Sequence, residues 1–253
     1  MIYKDSTIFS FTKFTKDHGI LTKKFIRYEN GKIKVDGSQC QMSSGGAQKV
    51  TLTLPDLPNF LMNTKDNQAI GHGVCEHDQA NIVSVKKFKN QPGTITRTKN
   101  FLSYPDPALT MLDYDPDEGQ APMEYQDVIK TVDSVCPGFA AIPKVLAYST
   151  SSCIYDRDIE IKERGAGFHL YFLVKKGDDL PRFAKTLFHR LWLAGYGYIK
   201  LSRSGAMLPR TIFDTAVFSP ERLDFVAGAH FMGSNRLSQR RPDPIYIPGG
   251  SSC

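Results

Sequence analysis

The chain has 253 residues, 41% of them hydrophobic and 23% charged. That length supports one large domain or two small ones with a well-buried core, and the composition excludes a coiled coil or a disordered chain. Thirty-two Lys and Arg stand against 26 Asp and Glu, and the resulting +6 permits a polyanionic partner without requiring one.

The longest mainly apolar run, Gly138 to Tyr148, is interrupted by Pro143 and Lys144 and falls well short of the roughly 20 residues that span a bilayer, so no membrane association is expected. The N-terminus lacks the apolar core of a secretory signal. Cys40, Cys75, Cys136, Cys153 and Cys253 form neither a CxxC pair nor an even set, so a disulfide framework is not expected. A reducing, cytoplasmic setting follows as the expectation.

Residues 1–93 are polar, with short strand-like pieces at Lys32 to Val35 and Val50 to Leu54 around a turn-rich middle, and read as an N-terminal α/β subdomain. Within them His72, Cys75 and His77, with Cys40, are conceivable zinc ligands, but the spacing is irregular and zinc is not expected. From Lys86 to Lys99 the bases Lys86, Lys87, Lys89, Arg97 and Lys99 stand without an acid. The adjoining Asn100 to Glu118 carries Asp106, Asp113, Asp115, Asp117 and Glu118 without a base. The basic block is either a solvated loop or a nucleic-acid contact.

Ala108 to Tyr114 (ALTMLDY) is an apolar run ended by Pro116, as in a buried strand. Tyr125 to Val135 has apolar residues at helical spacing and is stopped by Pro137-Gly138. Val145 to Thr150 and Phe168 to Val174 read as strands, and Leu180 to Leu193 as an amphipathic helix with Pro181 in its first turn. Tyr198 to Leu201 and Thr211 to Phe218 read as further strands. The order β-α-β-β-α-β-β over residues 94–235 predicts an α+β fold, an RRM-like mixed or antiparallel sheet with helices on one face. Residues 236–253 read as a C-terminal linker, so the chain is expected to be a piece of a longer protein.

Asp113 and Asp115 are two apart, so on a strand they share a face while Leu112 and Tyr114 point the other way. Two carboxylates this close stay ionised only beside cations, and a hard ion such as Mg2+ or Mn2+ accepts carboxylate and phosphate oxygens together. The alternative is a wet strand end. His169 heads an apolar strand after a glycine-bearing loop and is either a phosphate contact or an ordinary strand-end histidine. Asp214, inside the apolar run Thr211 to Phe218, is costly to bury unless paired or metal-bound and becomes the third candidate acid. Asp224 is its rival, but alternation with Leu223 and Phe225 is read as an exposed position. Lys200, Arg203 and Arg210 cluster before Asp214 as candidate triphosphate contacts.

The ordered set Leu112-Asp113-Tyr114-Asp115, Gly167-Phe168-His169 and Phe213-Asp214 resembles the three signature motifs of the archaeo-eukaryotic primase superfamily, in particular its plasmid and phage primase-polymerase branch. Flanking pieces, ITRTKNF from Ile95, LWLAGYG from Leu191 and PRTIFDTAVFSPERLDF from Pro209, extend the likeness over about Thr94 to Ala229. The resemblance implies that Asp113, Asp115 and Asp214 hold two Mg2+ or Mn2+ ions for phosphoryl transfer, and that His169 contacts the phosphates of an incoming NTP or dNTP. Gly167 departs from the usual Ser-x-His motif. Ser149, Ser151 or Ser152 is expected to supply the missing hydroxyl, with Ser152 taken as the nucleotide contact. The implied partners are a DNA template, single-stranded where it is copied, and a separate or fused helicase, since no G-x-x-x-x-G-K-[ST] motif is present. Two rival functions remain: a replication initiator that binds DNA without polymerising it, and a DxD glycosyltransferase.

Overall fold

The computed structural model describes residues 5–116, 121–161, 167–202, 204–233 and 235–250. The first part of the chain forms β1 (Ile8–Lys16), β2 (Lys24–Arg27), β3 (Ile33–Asp36), β4 (Ser44–Thr53), α1 (Leu57–Met62), β5 (Gln68–Gly71), β6 (Gln79–Val83) and β7 (Thr94–Ile95). Next come β8 (Ala108–Tyr114), α2 (Tyr125–Val135), β9 (Lys144–Tyr148), β10 (Ile154–Asp156), β11 (Ile159–Glu160), β12 (Phe168–Val174) and α3 (Leu180–Leu191). The chain continues through β13 (Tyr198–Leu201), β14 (Met207–Arg210), β15 (His230–Met232), β16 (Leu237–Gln239) and β17 (Ile245–Ile247). The architecture is α+β, with one large mixed sheet and few helices. No helix among the described residues is long and apolar enough to cross a membrane.

Nine strands share the large sheet, in the order β17-β9-β12-β8-β1-β4-β6-β7 with β5 also paired to β1. The sheet therefore runs across residue 93. β1 is parallel to β8 only at Ser10 and Ala108, after which the two strands part and one edge of β8 is left open. Residues 236–253 are expected as a linker, but their described part, 236–250, is folded in: β16 pairs with β10 and β17 with β9. The β-branched and aromatic Ile245-Tyr246-Ile247 suit the edge strand that this segment adds.

β8, β9 and β12 form the centre of the main core, and α2 and α3 contribute Val128, Val132, Leu180, Ala184, Leu187 and Leu191 to it. Phe172 of β12 meets Phe139 and, on α3, Phe183. By strand alternation Phe168, Leu170, Leu112 and Tyr114 face the same helical layer, and Tyr114 stacks on Phe168. Asp113, His169 and Tyr171 therefore lie on the opposite face.

At the start of β9, Lys144 is 1% exposed and lies over the Phe139 ring. Its ammonium donates to the carbonyls of Ile142 at 2.7 Å, Ala140 at 3.4 Å and Phe139. Burial pushes its pKa down to about 8. The ammonium satisfies the loop between α2 and β9, which would otherwise bury unpaired acceptors. Lys144→Met keeps the stem but orphans these carbonyls, and a loss of about 2 to 4 kcal/mol in urea unfolding, with an unchanged m-value, is expected.

Candidate active site

The site forms where β8 loses its cover. Asp113 is the first side chain of this strand to reach partial exposure. In the β8–β12 register it lies directly opposite His169. Its Oδ1 is 3.4 Å from His169 Nε2. Asp115, just past the strand end, opens on the same side, as a period of two requires. On the open edge of β8 the Asp113 carbonyl accepts the backbone N–H of Asp214 at 3.1 Å, and the three predicted acids line one cavity.

Two cavities meet at Asp113 and Asp115, which line both. The first, about 190 Å³, is walled by Lys23, Ser149, Thr150, His169, Arg222 and Asp224 among others. The second, about 160 Å³, is walled by Tyr198, Lys200, Arg210, Thr211, Phe213 and Asp214. Each cavity thus joins the central carboxylates to cationic side chains. Lys23 donates to Ser151 Oγ at 3.1 Å and reaches the site from the N-terminal half. It lies in an ordinary basic stretch with Lys24 and Arg27, far from the motif-bearing region, and sequence reasoning missed it.

Behind His169 lies a buried polar chain. Its Nδ1 is 3.0 Å from the Tyr171 hydroxyl, which donates to Asp224 Oδ2 at 2.7 Å. Asp224 Oδ1 lies 3.3 Å from the same Nδ1, and His72 Nε2 lies 3.4 Å from Oδ2. Asp224 is only 4% exposed, which corrects its reading as an exposed acid. The alternation itself holds, since Leu223 and Phe225 pack into a second core cluster. The other side of the segment, however, is closed by a backbone bridge to Ile70 of β5 and faces the protein interior.

Burial opposes a charged imidazole, but Asp224 and then Asp113 together outweigh it and hold the His169 pKa up at about 10. Burial equally opposes the Asp224 carboxylate, and His169 with His72 keeps its pKa well below the usual range. The Tyr171 hydroxyl, buried beside Asp224, is pushed well above its ordinary pKa. The favoured state of the pair is an imidazolium beside a carboxylate.

A Cβ on Gly167 would sit 3.2 Å from each of Asp115 Oδ1, Ser149 Oγ and the Tyr114 carbonyl. Ser149, which lines the first cavity, thus presents its hydroxyl beside the place a side chain at 167 would take. Ser152 does not fit its expected role as a nucleotide contact. It is fully buried, and its hydroxyl donates to the Gly167 carbonyl at 2.6 Å and lies 2.9 Å from Ser149 Oγ. It braces the loop rather than facing a cavity.

Asp214 is not inside an apolar strand as expected. It caps the short 3-10 turn Thr215–Val217, accepting from Ala216 N at 3.0 Å, and its side chain is 34% exposed. Arg210 and Arg222 approach it at 3.5 and 3.8 Å. The apolar character of the stretch comes from Phe213, Val217 and Phe218, which turn into the core without a strand. Lys200 and Arg210 line the second cavity together, and Arg203 lies outside the described residues. Arg97 is half-buried and donates to the Glu221 carbonyl at 2.7 Å, so it braces the Arg222 segment rather than facing either cavity. Lys86, Lys87, Lys89 and Lys99 are exposed, and neither cavity is lined by them. Cys75 Sγ is bonded to the His77 carbonyl and Cys40 Sγ to the Thr22 carbonyl, while His72 serves Asp224.

No protein-family model, curated protein or solved structure gives a significant match to this chain.

Two outcomes follow for the metal-free protein. The folded chain keeps on His169 a proton that the unfolded chain, with its pKa near 6.5, gives up. The stability margin of wild type over His169→Gln is therefore full below about pH 6.5 and is lost as pH rises through about 10, measured by thermal unfolding across that window. Gly167→Ala is expected to lower stability by about 1 kcal/mol through crowding, and adding Ser149→Ala recovers part of the loss.

Proposed function

We propose that this chain is a metal-dependent nucleotidyltransferase of the primase-polymerase type, joining nucleoside triphosphates on a DNA template with release of pyrophosphate. The observation that carries the reading is the pair Asp113 and Asp115 set between two cavities that each bring cationic side chains to them, with Asp214 alongside. Phosphoryl transfer needs this combination, because both the triphosphate and the attacking oxygen carry negative charge that must be positioned and neutralised. The strand and helix order around the motifs also supports likeness to the RRM-like core of the primase superfamily.

The donor chemistry fits Mg2+ or Mn2+. Among the described residues no three His, Cys, Asp or Glu side chains are gathered to hold an ion on their own. A small hard ion does not require such a cage, since it is commonly held by one or two carboxylates and completed by substrate phosphates and water. Asp113 and Asp115 would hold it, with Asp214 as the third acid. When bound, such ions lower the pKa of the attacking hydroxyl and offset charge on the transferred phosphoryl group. Lys23, His169 and Arg222 would bind phosphate oxygens in the first cavity, and Ser149 would add a hydroxyl. Lys200 and Arg210 would orient the second nucleotide or primer end across the acids.

Primer synthesis on single-stranded DNA with NTPs or dNTPs and Mg2+ or Mn2+ tests this reading. Asp113→Ala and Asp115→Ala should each reduce incorporation by roughly 10³-fold, the equivalent of about 4 kcal/mol of lost charge stabilisation. Wild-type-like polymerisation by the double variant, or competition by UDP-sugars but not NTPs in a binding assay, would overturn it.

A further inference from the structure

A carboxylate as deeply buried as Asp224 needs a reason. Its segment is held from behind: Asp224 exchanges both backbone hydrogen bonds with Ile70, and Gly73 N donates to the Pro220 carbonyl at 2.9 Å. Gly73 makes this approach possible, since a Cβ there would lie 2.6 Å from Pro220 Cβ. The carboxylate is thus delivered rigidly to the underside of the sheet, where Tyr171 and His72 are 0% and 3% exposed.

The chain of contacts has a direction. The ring nitrogen of His169 on the inner side, Nδ1, has two oxygen neighbours, the Tyr171 hydroxyl at 3.0 Å and Asp224 Oδ1 at 3.3 Å. Tyr171 already donates its hydroxyl proton to Asp224 Oδ2, so toward His169 it accepts, and Nδ1 is the donor. The other nitrogen, Nε2, is turned outward, 3.4 Å from Asp113 Oδ1 at the edge of the first cavity. A hydrogen bond on one imidazole nitrogen sets what the other can do, and a buried acid behind a histidine holds the ring in one orientation.

We propose that Asp224 is a positioning residue for His169. Through the Tyr171 hydroxyl, and braced by His72, it aims Nε2 at the cavity in which nucleotide phosphates would lie. The proposal rests on the nucleotidyltransferase reading for its effect on turnover, but the ring orientation is independent of it. It also gives the N-terminal half of the chain a part in the site, since β5 supplies the backbone bridge that holds Asp224 and leads directly into His72.

An ordinary structural ion pair would predict a different pattern, because removing one partner of a buried pair destabilises the fold but has no effect on turnover that is tied to one other residue. The decisive experiment is a double-mutant cycle in primer extension with Asp224→Asn, His169→Ala and the double variant. Asp224→Asn should lose activity by about the same factor as His169→Ala, and the double variant should be no worse than His169→Ala alone. Lys200→Ala, which lines the second cavity and not the first, should instead multiply with Asp224→Asn. Multiplicative loss in the Asp224/His169 cycle, or full activity in Asp224→Asn, would overturn the proposal. If Asp224→Asn does not fold, Tyr171→Phe removes the bridging hydroxyl and must couple to His169→Ala in the same way. Nitrogen-15 NMR of the imidazoles in nucleotide-free protein separates this proposal from the functional one. A protected proton on His169 Nδ1 is expected in wild type and should be lost in Asp224→Asn. Its persistence there would refute the positioning role even if polymerisation is found, whereas its loss in a protein that incorporates no nucleotide would sink only the functional reading.

Discussion

β8 is covered on both faces for most of its length. Ala108 to Leu112 are all buried, with helices over one face and the segment carrying Asp224 under the other, so charge can enter only where the strand runs out of cover. Asp113 and Asp115 occupy that point. Two acids there would repel each other and weaken the strand end, and the surrounding structure answers with positive groups on both flanks. His169 comes from the neighbouring strand, Lys23 from the N-terminal half, and Lys200 and Arg210 from the β13–β14 ribbon.

The divergence of β1 from β8 after Ala108 has a similar reach. Had the two strands stayed paired, the Asp113 carbonyl would have been taken by a neighbouring strand. Instead it accepts the Asp214 N–H, and the third acid arrives through a backbone bond rather than through strand alternation. The open edge of the sheet is thus converted into a wall of the site, and β13–β14 with its cations follows from the same stretch of chain.

The local elements of the second half were legible. Ala108–Tyr114, Tyr125–Val135 and Phe168–Val174 have the bounds read from periodicity, because long apolar runs with Pro or Gly at their ends leave little freedom. Asp113 and Asp115 could be placed on one face for the same reason, whereas their meeting with His169 was implied only by the resemblance of the ordered motifs. Asp214 reached the site by a different route from the one expected, since Phe213, Val217 and Phe218 bury their rings and methyls from a turn as well as they would from a strand. Alternation says which residues share a face but not what covers that face, so it does not disclose the burial of Asp224. A hydroxyl or guanidinium in a sequence does not reveal a nearby backbone carbonyl, which is what holds Ser152 and Arg97. Lys23 carried no signal of its own.

The site is assembled from Lys23, His72, Asp113, Ser149, His169, Asp214 and Asp224, which are scattered over some two hundred positions of chain. Contacts of such sequence separation form only after long loops have closed, so they are entropically late events in folding. A growing chain would display β8 and its two acids long before the segment with Arg210, Asp214 and Asp224 had emerged to meet them. During that interval an unshielded carboxylate pair sits at the end of a very apolar strand, and its charge keeps that strand from adding to another sheet edge until its own neighbours arrive.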